Sequence, residues 1–114
     1  PADLLQAHEN GVVIVDIRRP DEWSHTGIIA GAETITAFQA NGDFNPDFRQ
    51  QFTKLVPTAE TPVILYCLMG ARTTNLGMVL INQLGYLNVT HLSRGIMGWT
   101  EEGYQTIAYK PKSA

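Results

Sequence analysis

The chain has 114 residues and a mass of 12.6 kDa, the length of one domain over 1–114, which can build a core without staples. Hydrophobic residues at 44% and charged residues at 17% exclude a disordered chain, and a net charge of −3 with a pI near 5.5 disfavours nucleic-acid binding, which needs a basic face. A single cysteine rules out an intrachain disulfide and a four-cysteine zinc site.

No apolar run approaches the roughly 20 residues that cross a bilayer; the longest, Pro62 to Met69, is strand length. No signal peptide is visible. The expected compartment is the cytoplasm, or the periplasm if a leader has been removed.

Asp3 to Glu9 reads as a short helix stopped by Asn10-Gly11. Val12 to Ile17 is a β-branched run without polar alternation, as expected of a strand covered on both faces. Pro20-Asp21-Glu22-Trp23 is a helix start: proline fits the first turn and the two acids complement the dipole. Gly27 to Gly31 reads as a loop, Glu33 to Thr36 as a second strand, and Ala40-Asn41-Gly42-Asp43 as a turn. Asn45-Pro46-Asp47 resembles a cap, and Phe48, Phe52 and Leu55 follow on one helical stripe. All four phenylalanines fall between Phe38 and Leu55. They read as a local core patch, with an apolar wall beside a site as the sharper alternative.

Val63 to Tyr66 is another buried strand. Arg72 to Leu84 reads as a helix with Leu76, Val79, Leu80 and Leu84 on one face, ended by Gly85. Val89 to Leu92 is a short strand, and Ile96 to Glu102 a last helix before Gly103. Trp23 and Trp99 are expected to anchor their helices to the sheet. Strands and helices alternate without tight hairpin signals. That predicts an α/β fold with a mainly parallel central sheet flanked by helices on both faces.

Chemistry concentrates where the third strand ends. The strand runs into Cys67, a short loop of Leu68, Met69, Gly70 and Ala71 follows, and Arg72-Thr73 opens a helix. Open α/β sheets bind ligands at the carboxyl ends of their strands. The positive end of a helix dipole and the N–H groups of a tight turn favour an anion there. Gly70 permits the positive φ such a turn demands, and Arg72 adds a permanent charge at the rim. These surroundings favour a thiolate, so Cys67 is the candidate nucleophile; the bland alternative is an inert cysteine at a strand end. Leu68 and Met69 are expected to make the loop interior apolar. The Thr73 hydroxyl is expected to serve either the Cys67 sulfur or the N–H groups of the helix start. Asp16 and Arg18 end the first strand and could hydrogen-bond this loop, although an Arg18–Glu22 ion pair is the favoured account. His8, His25 and His91 lack metal-ligand spacing, so neither a metal nor a cofactor is expected.

Cys67-Leu68-Met69-Gly70-Ala71-Arg72-Thr73 after a buried strand resembles the active-site loop of single-domain rhodaneses, a family of sulfurtransferases. Val15-Asp16-Ile17-Arg18 followed by Glu22 resembles the family's early Asp-x-Arg…Glu segment. Gly27-Ile28-Ile29-Ala30-Gly31-Ala32 resembles its Gly-His-Ile-Pro-Gly-Ala segment, with Ile28 and Ala30 replacing the histidine and proline. Gly95-Ile96-Met97-Gly98-Trp99 through Gly103 resembles its closing segment, with Arg94 in place of the first glycine. The four segments occur in the family's order over nearly the whole chain.

The resemblance implies a rhodanese-like fold and sulfur transfer. The Cys67 thiolate would attack a donor such as thiosulfate or polysulfide, carry the sulfur as a persulfide, and pass it to cyanide or a thiol. Arg72 would orient an anionic donor or support the loop. Related phosphatases use a loop one residue longer. Here only four residues separate Cys67 from Arg72, a narrow ring suited to one sulfur rather than a phosphate. The rival readings are a non-catalytic sulfur-carrier or interaction module and, less favoured, a cysteine-dependent phosphatase or arsenate reductase.

Overall fold

The computed structural model describes residues 2–110. Helices and strands alternate along them: α1 (Ala2–Glu9), β1 (Val13–Asp16), α2 (Pro20–Thr26), β2 (Glu33–Thr34), α3 (Phe48–Leu55), β3 (Val63–Tyr66), α4 (Ala71–Asn82), β4 (Val89–His91) and α5 (Gly95–Glu101). The strands form one all-parallel sheet in the order β2-β1-β3-β4. β1 and β3 pair from Val13 with Val63 to Asp16 with Tyr66, which makes them the central strands. The strand that leads into Cys67 is therefore held on both sides.

The unbroken apolar runs have the expected cause, since both faces of the sheet are covered. Val15, Ile17, Val63, Leu65 and Cys67 point into one core with Phe48 and Phe52 of α3 and Leu76 and Leu80 of α4. Ile14 and Tyr66 point the other way, into a second core with Leu4 of α1 and Ile96 and Trp99 of α5. Period-two alternation along β1 and β3 thus feeds two different cores. No helix among the described residues is long and apolar enough to cross a membrane.

The phenylalanine region is a packed ladder. Phe38, Phe44, Phe48, Phe52 and Tyr86 contact one another in sequence with ring centroids 5.2–5.7 Å apart. Phe48 and Phe52 are fully buried. At about 1.5–3 kcal/mol per buried ring, they hold an eight-residue helix that would not persist alone.

Regular pairing of the second strand stops at Thr34 rather than at the expected Thr36. Asn45 takes over the outer edge: its side-chain Nδ2 donates to the Thr36 carbonyl and its N–H to the Ala37 carbonyl, both at 2.8 Å. Ile35 and Ala37 still donate to the Asp16 and Ile17 carbonyls, so the chain runs on alongside β1. Trp23 and Trp99 are buried, as expected of helix anchors. The Trp99 indole also donates to the Gln105 carbonyl at 2.9 Å.

Candidate active site

Cys67 follows the last residue of β3 and is 1% exposed. Gly70 caps α4 with φ +102°, a left-handed conformation open to glycine, and its N–H donates to the Cys67 sulfur at 3.1 Å. No side chain caps α4, so the N–H groups of its first turn have no side-chain acceptor and face the space at the strand end.

The loop is locked to the β4–α5 turn through main chain alone. A Cβ at Gly70 would overlap the Ser93 carbonyl oxygen, and one at Gly95 would strike the Leu68 and Cys67 carbonyls. Gly95 also has positive φ, +60°. The next two N–H groups close the contact: Ile96 donates to the Cys67 carbonyl at 2.9 Å and Met97 to the Leu68 carbonyl at 3.1 Å. Leu68 packs against the second core, whereas Met69 is 64% exposed. Met69 thus faces outward, and the expected apolar loop interior is not formed by it. Met69 and Met97 line a small cavity together with Arg94, which is paired with Glu101.

The structure corrects the expected ion pairing. Arg18 does not meet Glu22. Its Nη2 donates to Asp16 Oδ2 at 2.7 Å and to the Gly27 carbonyl at 2.8 Å, its Nε to Asp16 Oδ1 at 3.0 Å, and its Nη1 to Thr26 Oγ1 at 2.7 Å. Both Asp16 and Arg18 are fully buried. Their side chains bond one another and the end of α2 rather than the Cys67 loop. Desolvation opposes the Arg18 charge, but Asp16 wins through hydrogen bonding and Coulomb attraction, and the guanidinium is held above its usual value.

Glu22 instead reaches Arg72 across fifty residues. The pairing is bidentate, Nη1 to Oε1 at 2.7 Å and Nη2 to Oε2 at 2.8 Å. Burial works to raise the Glu22 pKa. The side-chain bond from Arg72, the Arg19 N–H and both guanidinium charges outweigh it and hold the carboxyl below the usual carboxylate value. Arg72 is accordingly not a bare charge at the rim: its positive charge is shared with Glu22, and α2 becomes a brace for α4.

Thr73 does not serve the N–H groups of the helix start, which no side chain caps; of the two expectations only the contact with the Cys67 sulfur is formed. The Thr73 Oγ1 lies 3.0 Å from the Gly70 carbonyl oxygen, 3.7 Å from the Cys67 sulfur and 2.7 Å from Nδ1 of His91. His91 is the residue sequence reasoning missed. Its signal was in the strand register. His91 pairs with Leu65, which faces the same core as Cys67, so His91 points toward α4.

Comparisons with known proteins agree with this fold. The family model for the rhodanese-like domain matches residues 1–102. The chain is 33% identical over 98 residues to a thiosulfate sulfurtransferase GlpE of Tolumonas auensis, covering 86% of this chain and 79% of that protein. It is 27% identical over 95 residues to a tRNA uridine(34) hydroxylase of Chlamydia trachomatis, where the match covers 80% of this chain but only 27% of the relative. A crystal structure of a rhodanese-related protein from Thermoplasma volcanium superposes with a TM-score of 0.70 at 25% identity, over 95% of this chain and 94% of that one.

Proposed function

The chain belongs to the rhodanese-like domain family, and on that premise we propose that it moves sulfane sulfur from a donor through a persulfide on Cys67 to a thiophilic acceptor. The observation that carries the reading is the placement of the Cys67 sulfur. It sits at the strand end, beneath an uncapped helix start, 3.1 Å from the Gly70 N–H, in a six-residue loop from Cys67 to Arg72. The thiosulfate sulfurtransferase named among the relatives supports the same chemistry.

In the first half-reaction the Cys67 thiolate attacks the outer sulfur of thiosulfate. An S–S bond forms, the bond to the sulfonate sulfur breaks, and sulfite leaves with its electron pair. A polysulfide donor reacts in the same way and leaves one sulfur shorter. The Cys67 persulfide anion is stabilised by the Gly70 N–H and by the free N–H groups of the first turn of α4. In the second half-reaction cyanide or a thiolate attacks the outer sulfur, which departs as thiocyanate or a new persulfide and returns the thiolate. Leu68, Met69, Gly70, Ala71, Arg72 and Thr73 form the binding loop. Arg72 holds that loop through Glu22, and Asp16 and Arg18 support it one step removed by fixing the end of α2.

The pairing of Arg72 with Glu22 favours donors of low charge, such as an organic persulfide, over the thiosulfate dianion. The test is mass spectrometry of the purified protein after donor treatment, followed by cyanide release. Wild type gains one sulfur atom, all of it released as thiocyanate, while Cys67→Ser gains none and stays folded. A wild type that gains no sulfur from any of these donors overturns the reading in favour of a non-catalytic module. Turnover of p-nitrophenyl phosphate faster than sulfur transfer overturns it in favour of a phosphatase.

A further inference from the structure

Thr73 has one hydroxyl hydrogen and three acceptors around it: the Gly70 carbonyl, His91 Nδ1 and the Cys67 sulfur. The Gly70 carbonyl is already served, because Thr74 donates to it from both Oγ1 at 2.9 Å and its N–H at 3.1 Å. A carbonyl has two lone pairs, so the Thr73 hydrogen is in effect divided between His91 and Cys67. The shorter contact, at 2.7 Å, is to the imidazole.

Neutral imidazole with its proton on Nε2 accepts at Nδ1 and takes the Thr73 hydrogen. The sulfur then keeps only the Gly70 N–H. A protonated imidazole donates at both nitrogens. Its Nδ1–H fills a lone pair of Thr73 Oγ1, and the hydroxyl hydrogen turns to the sulfur. Its 3.7 Å distance suits a sulfur acceptor, whose radius exceeds that of oxygen.

We infer that His91 is a positioning residue for Cys67: its protonation state, passed through the Thr73 hydroxyl, sets whether the reacting sulfur anion has a second hydrogen-bond donor. The inference deepens the sulfur-transfer reading and rests on Cys67 as the reacting thiol. It predicts that sulfur anions on Cys67 are best held when His91 carries its proton.

His91 is half-buried, and the cavity of about 370 Å³ that it borders lies with Leu4, Ile64 and Trp99 on the opposite face of the sheet from Thr73. The charged side chains on that cavity are Asp3 of α1, Arg94 before α5, and Glu102 after it. From α4 the only charged side chain is Arg72, which Glu22 holds. β3 contributes no charged side chain, and its Tyr66 faces the opposite core. The remaining titratable group is Cys67 itself, on the far side of Thr73.

The experiment exploits the single thiol, because every alkylation event reports Cys67. Iodoacetamide alkylation rates are measured from pH 5 to 9 for wild type, His91→Gln, Thr73→Val, Thr73→Ser and the double variant His91→Gln/Thr73→Val. Each rate is normalised to its alkaline plateau, and melting temperatures confirm folding. Wild type is expected to show an added shoulder in the imidazole titration range, about pH 5–8. At pH 6 its normalised rate should exceed that of His91→Gln by about three- to tenfold, less than a full charge-assisted hydrogen bond because the contact is long. Thr73→Val should lose the shoulder, Thr73→Ser should keep it, and the double variant should match Thr73→Val. Superimposable profiles for wild type and His91→Gln overturn the inference, as does a further loss in the double variant. Should His91→Gln fail to fold, His91→Asn takes its place with the same two criteria. Alkylation needs no donor, so a wild type that shows the shoulder yet takes up no sulfur retains this inference and loses the proposed function.

Discussion

Arg18 stands just past the carboxyl end of β1 and Arg72 in the first turn of the helix that follows β3, and each is paired with one carboxylate. They differ in depth. The Asp16–Arg18 side chains are 0% exposed, whereas Arg72 and Glu22 keep 26% and 16% of theirs in solvent. Arg18 spends its remaining donors on Thr26 and Gly27, fixing where α2 ends. Arg72 spends its own on Glu22 alone, and it belongs to the loop that carries Cys67. Two similar pairs, one at the end of β1 and one joining α2 to α4, thus differ in what they hold, the scaffold or the Cys67 loop, and burial draws the line.

The comparison breaks most visibly at its deepest member. Asp16→Ala leaves a buried guanidinium without its counter-ion and should lower stability by about 3–5 kcal/mol, read as a shift of the urea midpoint. Glu22→Gln should cost less, about 1–2 kcal/mol, because the pair is partly solvated. Its effect on sulfur loading should be larger in proportion, about ten- to hundredfold slower, since it frees the loop that orients the nucleophile. A Glu22→Gln variant that melts early yet loads sulfur at the wild-type rate would place both pairs in the scaffold.

Acid titration sharpens the contrast. The Glu22 carboxyl is depressed in the folded state, so its contribution is complete above the unfolded carboxylate value, about 4.3, and is lost as pH falls through the lower folded value. Wild type should therefore lose stability more steeply than Glu22→Gln below that pH, with parallel curves above it. The smallest effect belongs to the surface pair Arg19–Asp21. Arg19→Gln should leave the denaturation midpoint unchanged within error, because solvent screens that contact.

The sheet and its two faces were legible because continuous β-branched runs have few other uses. The strand, loop and helix around Cys67 were legible because an apolar run, a cysteine, a glycine and a helix start follow one another without interruption. The ion pairs were not. Arg18 and Glu22 are four apart, but Arg18 precedes the helix that begins at Pro20, so the rule that joins i to i+4 on a helix face does not reach it. Extended backbone instead brings Arg18 onto the side chain two residues back, Asp16. The Glu22–Arg72 bond spans fifty residues and exists only once the sheet has formed. His91 was hidden for a related reason: three residues of edge strand carry too little alternation to reveal a facing side, and only the pairing with β3 fixes it.

The reciprocal fit of Gly70 against Ser93 and of Gly95 against the Cys67 and Leu68 carbonyls separates the address of the Cys67 thiol from its vocabulary. Backbone contacts and the Arg72–Glu22 pair set where the sulfur stands, so the outward side chains of Met69 and Met97 can be rewritten without relocating it. The site behaves as a fixed press with exchangeable type. A combinatorial library at those two positions should sort sulfur donors by size and charge while every member keeps the same loadable thiol, and an alanine at Gly95 should jam the press whatever the type.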